Sequence, residues 1–166
     1  MVHTLETSLS HFGSVRVRAW GDVVSIELSL DGKTVFSFQI AARTLRLEEP
    51  VFAGWIDVPL DSLVDLVASK MNALVERGAP RDFLDIFALC QAELLTTDEC
   101  WALWRRRQKL AELDADLSRA RLAIETHLER IALVRPLEKI TDLGQREQAR
   151  RLRDWFVKAF LLVKDE

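Results

Sequence analysis

At 166 residues the chain is about one domain long, enough to bury a core without disulfides or metals to staple it. Hydrophobic residues are 49%, charged residues 30% and the formal net charge −3, an ordinary globular balance that gives no pull toward a polyanion or a membrane surface. The long apolar run of a transmembrane span is absent, and the first thirteen residues, with His3 and Glu6, lack the basic-then-apolar order of a signal peptide. A cytoplasmic location is the expectation.

Leu5, Leu9 and Phe12 recur at helical spacing ahead of Gly13 and predict a short opening helix. Strand patterns follow. Val15 and Val17 alternate with Ser14, Arg16 and Arg18, and Val24, Ile26, Leu28 and Leu30 alternate with Ser25, Glu27 and Ser29. Asp31-Gly32 separates this run from an extended one, Val35 to Ile40, and Asp-Gly between two such runs is a hairpin signal. Pro50 to Pro59, with Gly54 and Trp55, reads as a connecting segment holding a short strand at Trp55 to Val58.

From Leu60 the period becomes helical. Asp61 or Ser62 caps a helix with Leu63, Val67, Leu74 and Val75 on one face, and Gly78 is placed to end it. Pro80 suits the first turn of the next helix, through Phe83, Phe87 and Cys90 to about Leu94. Thr96 and Glu99 have the spacing of a capping box. Beyond it Leu110, Leu113, Leu117, Ala120, Ile124, Leu128 and Ile131 step by three or four, a seam that wants a partner helix and that Pro136 breaks. A last helix, about Leu143 to Val163, presents Leu152, Trp155, Phe156, Ala159 and Phe160 as its stripe, and the two are expected to pack as an antiparallel hairpin. The expected fold is therefore α+β. A small antiparallel sheet with packed helices occupies residues 1–95, and an all-α helical hairpin or bundle occupies residues 96–166.

Arg105, Arg106 and Arg107 form one basic cluster and Arg150, Arg151 and Arg153 another. Both read as solvated helix faces, or alternatively as an RNA-binding face. Cys90 and Cys100 have no second pair with which to build a metal site and are expected to be reduced thiols. Trp101 and Trp104 look exposed and, with the leucine seam, would form a partner or homodimer surface.

The most informative stretch runs from Lys70 to Asp85. Lys70 falls between Val67 and Leu74, on the stripe that should face the core, and a buried ammonium needs a carboxylate or an anionic ligand. Arg77 lies two turns on along that face. Arg81, Asp82 and Asp85 open the next helix, where its dipole favours acids. Two cations and two carboxylates thus converge. They either clamp a triphosphate, since phosphoryl chemistry depends mainly on charge placement, or form an ion-paired helix-turn-helix in which Lys70 and Arg77 neutralise Asp82 and Asp85. Arg81 is equally able to pair with Asp85.

Lys70-x-x-Ala73-Leu74, a spacer ending in Arg77, and Arg81-Asp82-x-x-Asp85 resemble the third motif of the AbiEii/AbiGii toxin group of nucleotidyltransferase-fold proteins. That group places a Val-x-Asp-Phe strand and a Ser-Leu-x-x-Leu segment before the motif. Phe36-Ser37-Phe38 and Pro59-Leu60-Asp61-Ser62-Leu63 stand in those places here, so the resemblance covers roughly Val23 to Leu95. It implies a partial nucleotidyltransferase-like fold in a toxin-antitoxin or phage-defence setting, with a cognate antitoxin as partner and tRNA as an acceptor. It further implies that Lys70 and Asp82 handle nucleotide and phosphate, that Arg77, Arg81 and Asp85 support nucleotide binding, and that magnesium and a nucleoside triphosphate are the cofactors of a surviving site.

An active member also carries a Gly-Gly or Gly-Ser turn followed by a strand with Asp-x-Asp, whose carboxylates hold magnesium. Here Gly13-Ser14 is followed by Val15-Arg16-Val17-Arg18, Asp22 and Glu27 are too far apart to form the pair, and Ser37 and Gln39 stand where another acid is often found. The chain thus looks like the family's second half. A truncated reading frame, half of a split protein complemented by a separate N-terminal segment, and a degenerate scaffold all fit. The expectation is a nucleotidyltransferase-like protein that is inactive alone, a pseudoenzyme with residual phosphate binding and no metal site of its own. The alternative is a non-catalytic interaction protein whose C-terminal helices bind a partner or a second copy. His3, His11 and His127 are scattered, and no nucleophile-histidine pair, Walker loop or dinucleotide fingerprint appears.

Overall fold

Both residues of the Asp31-Gly32 turn have positive φ, 49° and 74°, the geometry whose twist matches that of a tight hairpin's flanking strands. A computed structural model describes residues 2–41, 45–52, 54 and 58–162, and these group into two compact units that divide between residues 44 and 45.

In the first unit a short helix, α1 (Val2–Ser10), precedes the antiparallel strands β1 (Ser14–Trp20), β2 (Val23–Leu30) and β3 (Lys33–Ala41), in that spatial order. The alternation sets the register, placing Val17 opposite Ile26 and Ile26 opposite Phe38. Ile26 is fully buried and Leu28 nearly so, while Trp20, Leu30, Val35 and Phe36 remain exposed.

The second unit opens with a two-stranded ladder, β4 (Val51–Phe52) on β5 (Pro59–Leu60). Most of the strand expected at Trp55 to Val58 falls on residues 55–57, outside the described residues. The helices are α2 (Leu63–Glu76), α3 (Pro80–Gln91), α4 (Thr97–Leu110), α5 (Leu117–Val134) and α6 (Leu143–Trp155), the last continuing as a π-helical turn through Phe160. The capping signals act as read. The Asp65 N–H donates to Ser62 Oγ at 3.1 Å, and the Glu99 N–H donates to Thr96 Oγ1 at 3.2 Å while Glu99 accepts from the Thr96 N–H at 2.7 Å.

Two expectations are corrected. The leucine seam is not one helix. It breaks between α4 and α5, where Glu112 takes a φ of 55° and Asp116 caps α5 by accepting from the N–H groups of Ser118 and Arg119. Leu110 and Leu113 are therefore exposed, and only Ala120, Ile124 and Leu128 from the seam are buried. Second, Trp101 and Trp104 are 2% and 3% exposed. They pack edge to face, Trp101 also stacks obliquely on Phe160, and its indole N–H donates to the Phe160 carbonyl at 3.1 Å. Aromatic rings of this size contribute strongly when buried, and Arg105 and Arg106, which follow them in sequence, stay exposed. The core they join also contains Val67, Met71, Leu74, Phe83, Ile86 and Phe156. In this bundle α2 is the hub, packed by α3, α4 and α5, while α6 lies on α3.

Candidate functional site

The α2–α3 turn follows from two residues. Gly78 adopts a φ of 51°, its N–H bonds the Ala73 carbonyl at 3.1 Å, and Pro80 then starts α3 with a preset φ. A Cβ at Gly78 would lie 2.4 Å from the His127 ring, so α5 closes directly over the turn. His127 Nε2 is 3.1 Å from the Val75 carbonyl, and Arg130 donates to the Arg77 carbonyl at 2.9 Å. Both occupy the C-terminal end of α2, whose unpaired carbonyls attract donors.

This turn brings the Lys70–Asp85 residues together as two ion pairs of different character. Arg77 grips Asp82 with two parallel hydrogen bonds, Nε to Oδ2 at 2.9 Å and Nη2 to Oδ1 at 3.0 Å. The Ala79 N–H adds a third, to Oδ2 at 3.2 Å. The Asp82 side chain is 0% exposed, although Arg77 is 59% exposed. The Arg77 hydrogen bonds hold the Asp82 carboxyl below the usual carboxylate range, outweighing the upward push of burial, with smaller help from the Ala79 N–H and the charge of Lys70. In turn Asp82 raises the Arg77 guanidinium above its ordinary value.

Lys70 Nζ meets Asp85 Oδ2 at 2.6 Å, with the two side chains 39% and 32% exposed. The pair sits on the flank of a shallow open groove between α2 and α3, lined also by Leu63, Leu66, Leu89 and Leu94. Lys70 is therefore not in the core, as the stripe suggested; Val67, Met71 and Leu74 take that face. Arg81 is exposed and makes no ion pair among the described residues, so the alternative Arg81–Asp85 pairing is not formed.

The residues present do not fit a magnesium ion. Both Asp82 oxygens are committed to Arg77 and Ala79, and Asp85 is held by Lys70. No cluster of three or more His, Cys, Asp or Glu side chains suited to a metal occurs among the described residues. The one Asp-x-Asp in the sequence, Asp114-Ala115-Asp116, lies in the α4–α5 loop, where Asp114 pairs with Arg119 and Asp116 caps α5. The arrangement can present a cation, Lys70, at an open groove. It offers no ligand set for a divalent ion.

Sequence reasoning missed one organising residue. Asp65 is 1% exposed and accepts from the N–H groups of Leu47 and Glu48 at 2.9 and 3.1 Å and from the Ser62 hydroxyl at 3.3 Å. Arg106 donates to the Leu47 carbonyl at 2.9 Å, so the stretch before β4 is pinned to α2 and α4. The Ser62-x-x-Asp65 spacing is a capping-box variant and was the available signal. His127 and Arg130 carry no local signal, because their partner is a turn far away in sequence.

A family model described as the nucleotidyl transferase AbiEii toxin of type IV toxin-antitoxin systems matches residues 3–158. The match extends beyond Val23 to Leu95 on both sides and takes in the α2–α3 site and all the helices that pack on it. Neither a curated protein nor a solved structure matches the chain.

Proposed function

The chain belongs to the AbiEii nucleotidyl transferase toxin family, and on that premise we propose that it is a degenerate nucleotidyltransferase-like protein that binds nucleotide phosphate at Lys70 without transferring it by itself. The observation that supports this reading is the contrast at the α2–α3 turn. Lys70 stands at an open groove with a single carboxylate partner, and no strand among the described residues carries the paired acids that metal-assisted transfer needs. In this reading Asp82 keeps its place in the site by fixing Arg77, whose exposed guanidinium offers a second cation beside Lys70. Arg81 adds a third at the start of α3, and Asp85 is the group a phosphate displaces. In this reading residues 1–95 are the nucleotidyltransferase-like part and residues 96–166 the helical part. The setting would be a cytoplasmic toxin-antitoxin or phage-defence system with a cognate antitoxin. Transfer to an acceptor such as tRNA would require acids supplied by a separate segment.

No helix among the described residues is long and apolar enough to cross a membrane. Burial of Trp101 and Trp104 takes these two residues out of the alternative, a partner or homodimer surface on the C-terminal helices, and leaves Leu110 and Leu113 of the seam exposed.

Calorimetric titration with each nucleoside triphosphate tests the proposal. Binding is expected in the wild type, lost in Lys70→Ala, and tightened in Asp85→Asn, which frees the ammonium. No heat with any nucleotide in either the wild type or Asp85→Asn would leave the four charges as a structural cluster and sink the reading.

A further inference from the structure

The opposite end of α3 holds a feature that phosphate binding does not use. Cys90, in the last turn of α3, and Cys100, in the first turns of α4, are both free thiols, and their sulfurs lie 3.8 Å apart. They come from consecutive helices joined by the residue 92–96 turn, in which Glu93 takes a φ of 55°. Cys100 is fully buried, whereas Cys90 is half-buried and lines an open cleft with Glu93, Leu95, Thr96, Glu99 and Trp155. One sulfur is reachable and the other waits directly behind it.

We propose that Cys90 and Cys100 form a redox-sensitive modification site, with Cys90 as the thiol attacked by a small hydroperoxide and Cys100 as the thiol that resolves it into a disulfide. The sulfurs are already in contact, and bonding requires them to close by about 1.7 Å, a movement within reach of side-chain torsion and a small shift of the connecting turn. The chemistry balances with hydrogen peroxide as oxidant. The Cys90 thiolate attacks one peroxide oxygen, the O–O bond breaks, and Cys90 becomes a sulfenic acid as hydroxide leaves and is protonated to water. The Cys100 sulfur then attacks the Cys90 sulfur, the S–S bond forms, and the sulfenic oxygen leaves with the thiol proton as a second water. Two thiols lose two electrons and the peroxide gains them.

The local electrostatics agree with this order of events. The hydrogen bond from Cys100 holds Cys90 below the ordinary thiol range, against the opposing effects of burial and the Glu99 charge. The same bond, with burial, pushes Cys100 up. Of the two thiols the half-buried Cys90 is thus the one favoured as thiolate, and thiolate character with access is what selects a cysteine for oxidation. Trp155, Leu94 and Leu95 line the cleft beside Cys90. The bond would tie the end of α3, the helix that carries Asp82 and Asp85 at its start, to the buried beginning of α4.

The test oxidises the folded full chain with stoichiometric hydrogen peroxide, removes the peroxide, unfolds the chain in guanidinium with N-ethylmaleimide so that every remaining thiol is blocked, and reads the intact mass. The expected product is an unlabelled monomer lighter by two hydrogens, reverted by dithiothreitol. In Cys100→Ser, Cys90 should be trapped as a sulfenic acid by dimedone, and in Cys90→Ser the buried Cys100 should take none. Retention of two maleimide labels, disulfide-linked dimers, or dimedone on Cys100 in preference to Cys90 would each overturn the proposal. The wild-type mass reads the outcome even if a serine variant fails to fold.

Discussion

The Arg77–Asp82 and Lys70–Asp85 pairs are alike in sequence, each a cation from α2 or its C-cap meeting a carboxylate from α3, yet they do different work. Asp82 is fully buried, bidentate to Arg77 and bonded to the Ala79 N–H. Asp85 is partly exposed and holds Lys70 through one contact beside an open groove. Burial and the number of hydrogen bonds distinguish them. A satisfied, desolvated carboxylate is scaffold, because breaking it leaves charge without water, while an exposed single-contact pair exchanges partners at little cost.

Breaking the turn on which the contrast stands should have the largest effect. Gly78→Ala places a Cβ against the His127 ring at a positive φ, and strain plus overpacking should cost about 3 kcal/mol in urea unfolding. A loss below about 1 kcal/mol would mean that α5 does not hold the turn. Next, Asp82→Asn removes a charge-assisted fork and a cap together, and about 2 kcal/mol is expected from the same measurement. Asp85→Asn should cost less than about 1 kcal/mol, and equal costs for Asp82 and Asp85 would erase the distinction drawn between them.

The pH dependence sharpens it further. The folded-state Asp82 carboxyl lies below its ordinary value, so its stabilising contribution is present above the unfolded aspartate range, near about pH 4. It is lost as the pH falls through that range toward the lower folded value, since there the unfolded chain binds more protons. The wild type should therefore lose urea resistance more steeply than Asp82→Asn between about pH 4 and pH 2. The smallest stability effect belongs to Lys70→Ala, within about 0.5 kcal/mol, although it should remove nucleotide binding. A large destabilisation by that variant would mark Lys70 as scaffold and break the comparison from the other side.

The parts legible in sequence are those fixed by neighbours along the chain. The Asp31-Gly32 turn, the Ser62 cap, the Gly78 stop and the Thr96–Glu99 box are each specified within a few residues, and each appears as read. So does the convergence of Lys70, Arg77, Asp82 and Asp85, because a glycine-proline turn between two helices leaves few ways to place them. Which cation takes which carboxylate was open, since Arg81 is as close to Asp85 in sequence as a helical pair requires. Tertiary position settled it in favour of Lys70. The burial of Trp101 and Trp104 has no local signal, because the residue that covers Trp101 is Phe160, 59 positions along the chain. The seam failed between Leu110 and Leu117, where a heptad count sees spacing but α4 has ended before the positive φ of Glu112 and the Asp116 carboxylate starts α5.

That closure over Trp101 also gives the protein an optical reporter. Trp101, Trp104 and Trp155 sit in or against one aromatic cluster, and the Trp101 indole is tied to the Phe160 carbonyl. Release of the turn at Phe156–Phe160 would let water reach that indole and shift its emission to the red, so steady-state fluorescence can follow this turn without any added dye.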